Sequence, residues 1–166
     1  MKDFKNIFKY VGRTVTDYTY LLGYGVAFIN MGIMGLSAVL LVTIFGGIIN
    51  GPVLAAIFTI VGFSAFGKHL KNSAPVVIGV IVAALYLGLD LSSTGIIISI
   101  LFSTTIAPIA GKHGPIIGFI AGVLHLAVVT NIGIVHGGIN LYNNGFSGGL
   151  VAGFLIPIVD AFKKGD

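Results

Sequence analysis

No charged residue stands between Asp17 and Lys68. A stretch of that length has no polar face with which to meet water, and a lipid bilayer is the solvent that suits it. The rest of the chain agrees. Only 8% of the 166 residues are charged and 56% are hydrophobic, whereas a soluble domain carries about 25% charged residues. Mean hydropathy is +1.06. There is no cysteine, which excludes disulfide and thiolate–metal chemistry, and no glutamate, which removes most carboxylate-rich metal cages.

The net charge of +4 suggests an anionic partner until the basic residues are placed along the chain. Lys2, Lys5, Lys9 and Arg13 precede the first apolar run. Lys68, Lys71 and Lys112 fall in short gaps between runs, and Lys163 and Lys164 follow the last. These are the places of charges that set membrane topology, so no nucleic-acid partner is expected. The apolar stretch after the basic N-terminus is too long for a signal peptide and has no small-residue cleavage site, so it reads as a retained span.

Breaks at Asn50-Gly51-Pro52 and at residues 68–74, 90–93, 112–114 and 136–148 leave six apolar segments, roughly 18–49, 52–67, 75–89, 94–111, 115–135 and 149–159. Pro52, Pro75 and Pro115 are each expected to open a helix. With a cytoplasmic N-terminus and one crossing per segment, all nine Lys and Arg residues fall on one face, and Asp90 is the one formal charge on the other. The fold expected is all-α: a polytopic transmembrane bundle of about six segments, forming one integral membrane domain over residues 1–166. Residues 1–17 are its basic cytoplasmic segment, and both termini of this multi-pass cell-membrane protein are cytoplasmic. The first segment is too long for one straight crossing, so it is tilted, kinked or preceded by an interfacial helix. Segments 52–67, 75–89 and 149–159 are short for a full span, so they are broken or re-entrant helices, or they extend through their polar flanks.

Residues 50–69 and 94–113 match at an offset of 44: Gly51 with Gly95, Phe58 with Phe102, and Gly67-Lys68-His69 with Gly111-Lys112-His113. A weaker third copy starts at Asn144-Gly145. This is an internal repeat, or lysine-terminated membrane composition arrived at twice.

Polar side chains inside apolar segments cost free energy and are candidate functional groups by default. His125 lies near the middle of segment 115–135, with His136 three helical turns further along the same face and Asn131 on another. These groups line a polar cavity, or they bond neighbouring helices. Asp90, beside Ser92, Ser93 and Thr94, either coordinates a cation or caps a helix, the cap being the commoner use. Ser103, Thr104 and Thr105 precede Pro108, which is expected to kink the fourth segment; their hydroxyls line a pore or satisfy the kink. Gly118 with Gly122, Gly133 with Gly137, and Gly145 with Gly149 and Gly153 have the spacing of closely packed membrane helices. The stretch "HGGINLYNNGFSGG", 136–149, is polar between two apolar segments. No zinc-protease, nucleophile-elbow or Walker motif is present, and His69 and His113 lack carboxylate or thiolate companions, so neither an enzyme nor a cofactor or metal is expected.

The block "GKHGPIIGFIAGVLHLAVVTNIGIVHGGINLYNNGFSGGLVAGFLIPIVDAF", 111–162, with the earlier "NGPVLAAIFTIVGFSAFGKHLKN", resembles an uncharacterised bacterial polytopic membrane-protein family, domain-of-unknown-function family 1576. "HGGINLYNNGF" is the most specific part, and the chain looks like the C-terminal half of longer members. The resemblance implies a polytopic membrane protein, with no activity to carry over.

The residues themselves suggest a channel or transporter, or half of one, for a small polar or ionic solute. Its contacts are expected among Asn50, Asp90, Thr94, His125, Asn131, His136, Asn140, Asn143 and Asn144. Asparagine amides both donate and accept hydrogen bonds, which suits a neutral solute or a partly dehydrated cation. The alternative is a non-transporting subunit or scaffold that binds another membrane protein. Six short spans hardly enclose a pore, so a homo-oligomer or a complementary membrane half is the expected partner, besides the lipid bilayer itself.

Overall fold

The computed structural model describes residues 4–12, 16–134 and 140–163, without the side chains of residues 140–142. The described residues form helices and no strand. A 3-10 turn at Phe4–Lys9 precedes α1 (Tyr18–Leu22), which Asp17 caps by accepting from the amides of Thr19 and Tyr20. Gly23, at φ +84°, separates α1 from α2 (Tyr24–Ile44). The over-long first segment is therefore a short helix followed by one of 21 residues.

Asn50 caps α3 (Gly51–Phe63), accepting from Val53 N at 3.1 Å, with Pro52 in the first turn where its missing N–H costs nothing. At 13 residues α3 is about 20 Å long and shorter than a bilayer core of about 30 Å. α4 (Leu70–Tyr86) starts five residues ahead of the expected Pro75. His69 and Asn72 form a reciprocal capping box there, and Pro75 so near the N-terminus removes only the hydrogen bond to the Lys71 carbonyl. α5 (Thr94–Ser103) and α6 (Ala107–His113) are joined by a 3-10 turn at Thr104–Ile106, where Pro108 interrupts the helix as expected. The hydroxyls of Ser103, Thr104 and Thr105 donate to the carbonyls of Ile100, Leu101 and Phe102, so they satisfy the kink. α7 (Pro115–Asn131) and α8 (Asn140–Lys163) complete the chain. The last segment is not short: α8 runs through both polar flanks for 24 residues, with Pro157 inside it. Four stretches are long and apolar enough to cross a membrane, Tyr24–Ile44, Thr94–His113, Pro115–Ile134 and Asn143–Lys163, and α3 and α4 are shorter apolar helices.

The closest helix contact is between α4 and α7. Gly122 lies against the Val76 carbonyl and Val80 N, Gly79 against the Phe119 carbonyl, and Gly118 against Pro75 and Ala110. These pairs ascend together in both helices, so α4 and α7 run in the same direction. Val77, Val80, Ala83 and Ala84 then pack with Leu126. α3 lies along α5 in the same sense, through Val53, Ala56, Ile57 and Ile60 against Ile97, Ile98 and Leu101. The side chains of Asn50 and Thr94, 44 positions apart, are hydrogen-bonded at 2.8 Å. The glycines of α8 behave differently from expectation. Among the described residues nothing lies within 4 Å of a side chain built at Gly145, Gly149 or Gly153.

One end of the bundle gathers the basic loops. Gly12 sits against Gly67, Val11 against Gly111, and the Tyr10 carbonyl lies 3.1 Å from His69 Nε2. Lys112 pairs with Asp160 at 2.7 Å there. The loop between α3 and α4 is held by α2: Asn30 Nδ2 donates to the carbonyls of Ser64 and Lys68 at 2.6 and 2.7 Å. Replacing Asn30 by Leu strands two buried carbonyls. Asn30→Leu is expected to lose about 1–3 kcal/mol, seen as a lower melting temperature in detergent, whereas Thr59→Val on the half-exposed side of α3 is expected to change little.

Candidate functional site

At the other end of the bundle, α5, α7 and α8 enclose a polar cavity of about 270 Å³ lined by Ser93, Ser99, Thr130, Asn143 and Asn144 among others. Each helix brings its polar groups for a local reason. α8 carries Asn143 and Ser147 one turn apart, which puts them on one face, with Asn144 adjacent. α7 carries His125 with its side chain wholly buried. Across the two helices His125 Nε2 lies 3.2 Å from Asn144 Oδ1.

Three polar atoms of this cluster, His125 Nδ1, Asn143 Oδ1 and Ser147 Oγ, are buried without a hydrogen-bond partner among the described residues. Buried polar atoms are ordinarily satisfied, and each exception calls for an explanation. Of the three residues Asn143 lines the cavity itself, and its carboxamide oxygen can accept from a solute that carries N–H or O–H donors. No fixed charge belongs to the group.

The residues expected from sequence divide between this cavity and other places. Asn143 and Asn144 line it, and His125 stands behind Asn144. Thr94 lies between the lining residues Ser93 and Gly95, but its hydroxyl accepts from Asn50, which at the same time caps α3. Asp90 is exposed in the turn before α5. Its carboxylate accepts from the Ser92 hydroxyl and amide, and these bonds hold it below the usual carboxylate range. It therefore caps a turn and not the helix, whose N-cap is Ser93. Asn131 is exposed and donates to the Ala127 carbonyl of its own helix. Asn140 begins α8, and His136 lies outside the described residues. Among the described residues no three His, Asp or Glu side chains gather to hold a metal.

Ser99 and Ser147 were not expected. Ser147 follows Asn143 by four and Asn144 by three, a helical spacing visible in the sequence once α8 is known to begin before Asn143. Ser99 has no such signal, because its hydroxyl also returns to the Gly95 carbonyl as serines in membrane helices do. Asn30 was legible by the rule that singled out His125, a polar side chain within an apolar run.

A cavity of about 320 Å³ near α2 and α4 is lined almost wholly by aliphatic groups such as Met34, Leu41, Val77 and Ile81, and offers a polar solute little to bond. The polar cavity is thus set within an all-helical bundle whose long helices have the length and apolarity of membrane spans, and the protein is of the membrane class. The chain belongs to the family described as "Protein of unknown function (DUF1576)", whose model matches residues 1–161. No curated protein and no solved structure matches it.

Proposed function

We propose that the protein is a channel or transporter, or half of one, that passes a small polar solute through the cavity between α5, α7 and α8. The observation that carries this reading is a set of buried atoms without a partner among the described residues, His125 Nδ1, Asn143 Oδ1 and Ser147 Oγ, of which Asn143 lines the polar cavity. These groups carry no fixed charge, which favours a neutral hydrogen-bonding solute. The reading includes six crossings of the cell membrane by one domain, with both termini and the basic loops cytoplasmic and the cavity toward the outer face. It also takes the pairs α3–α4 and α5–α7 as copies of one unit. The 44-residue offset, the Asn50–Thr94 bond and the equal 17-residue lengths of α4 and α7 support that. A second copy or a complementary half completes the pathway.

A second reading, a scaffold that binds another membrane protein, rests on the face of α8 at Gly145, Gly149 and Gly153, which none of the described residues covers. Co-purification with another membrane chain that survives every cavity substitution but is lost on Gly149→Leu would favour it.

Labelling tests the first reading, because the chain has no cysteine of its own. A cysteine at Ser99 lines the cavity, and one at Lys112 lies at the basic end. Ser99→Cys is expected to react with a small membrane-impermeant thiol reagent added outside the cell, and Lys112→Cys only after the membrane is permeabilised. The reverse pattern, or a Ser99→Cys that reacts from neither side, defeats the reading.

A further inference from the structure

Lys68 follows α3 in the tightly held loop described above, and its residue is 4% exposed. Its ammonium donates to Thr104 Oγ1 at 3.0 Å and lies 5.9 Å from the Phe63 ring centroid. Thr104 is itself occupied as a donor to the Leu101 carbonyl, so it meets the lysine as an acceptor. Among the described residues no carboxylate comes within ion-pair distance of this ammonium. The acidic side chain that takes part in ion pairs, Asp160, belongs to Lys112 and His113.

Burial makes that absence costly: Lys68 and Thr104 are each 4% exposed. A cation held there with one neutral hydrogen bond is expensive, and such residues are normally neutralised by a partner of opposite charge. Of the three N–H donors of an ammonium, one is used by Thr104. The ammonium borders a cavity of about 240 Å³, lined also by Phe63, Phe66, Thr104, Thr105 and Pro108. The Thr104 and Thr105 hydroxyls donate to the Leu101 and Phe102 carbonyls, so the ammonium brings the free donors of this wall, and no acid lines it.

We propose that this cavity is a binding site for a small monovalent anion, chloride or a short carboxylate, which supplies the counter-charge of Lys68. The site goes beyond the solute cavity at the other end of the bundle and does not depend on it. A phospholipid phosphate carries the same chemistry, and the added-lipid arm of the test separates it from the free ion.

The test is the thermal stability of purified protein in neutral detergent, titrated at constant ionic strength with chloride, bromide, acetate or inorganic phosphate against gluconate. At least one of the first three ions is expected to raise the melting temperature saturably. Lys68→Met is expected to abolish the rise, and Lys71→Met, at an exposed lysine outside the cavity, to retain it. If Lys68→Met does not accumulate, Thr104→Val serves in its place. It removes the hydroxyl that orients the ammonium and is expected to weaken apparent anion affinity about tenfold. The proposal is overturned if no anion gives a saturable shift, if the shift is the same in the variant tested, or if only added phosphatidylglycerol produces it.

Discussion

Gly122→Val is expected to remove most of the folded protein. Even the first carbon of a side chain at Gly122 would overlap the Val76 carbonyl oxygen and stand 3.0 Å from Val80 N, and Gly79 is shut in as tightly by the Phe119 carbonyl. The obstacles are backbone atoms of a facing helix, which cannot swing aside as a side-chain tip can. α4 and α7 would have to separate, and the whole contact that runs from Pro75 to Leu126 would loosen. Overpacking of this kind costs about 3 kcal/mol or more. For a chain of this size that corresponds to a fall of about 10 °C in melting temperature for the smaller Gly122→Ala. Gly149→Ala and Gly62→Ala supply the contrast. Among the described residues nothing lies within 4 Å of either position, and alanine in a helix is better than glycine by about 1 kcal/mol, so both are expected to be neutral or stabilising. Equal losses at Gly122 and Gly149 would show that α4 and α7 do not approach as described.

His125→Leu is expected to abolish solute passage while leaving a folded bundle. The substitution keeps the volume of the side chain and removes both ring nitrogens, one bonded to Asn144 and one unpartnered beside it. Each hydrogen bond lost in a desolvated site costs about 1–3 kcal/mol, or roughly five- to 150-fold in affinity. Asn144→Leu removes the other member of the pair and is expected to act alike. The double variant should then lose little more than either single one, because both break the same bond. Fully additive losses would mean that the two residues act separately. Melting curves in detergent distinguish lost passage from lost folding.

Much of this architecture was legible in the chain. The six apolar segments, the break at Asn50-Gly51-Pro52, the kink at Pro108 and the close packing at Gly118 and Gly122 all follow from local chemistry. Local chemistry misled in three places. Pro75 looked like a helix start, because a proline suits a first turn; the capping box of His69 and Asn72 begins α4 earlier, and nothing in the proline itself reports that. The last apolar segment was drawn from Gly149, yet Asn143, Asn144 and Ser147 ahead of it are buried side chains of the same helix, α8. Lys68 was read as one more topology-setting charge, since exposed and buried lysines look alike in a sequence. Its burial follows from the shortness of α3, which draws the loop to the level of Thr104.

The candidate site shows the same division. His125 stood out as a polar group in an apolar run, and Asn143 and Asn144 as part of the polar stretch between two such runs. That His125 would meet Asn144, 19 residues away on the next helix, is a property of how α7 and α8 pack, which no spacing rule contains. Asn131 stood out for the same reason as His125 and turned out to bond its own helix. Polarity within a span selects candidates; the rotation of each helix decides which of them share a cavity.

Solute flux into proteoliposomes measures the central claim most directly. Vesicles of purified protein, challenged with small neutral donors of hydrogen bonds (urea, acetamide, glycerol) and separately with monovalent cations, are followed by light scattering or by tracer uptake. The account predicts that at least one neutral solute enters faster than into empty vesicles, and that His125→Leu and Asn144→Leu reduce this at least about fivefold while Thr59→Val does not. No protein-dependent flux of any neutral solute, or a flux indifferent to both cavity substitutions, would contradict it.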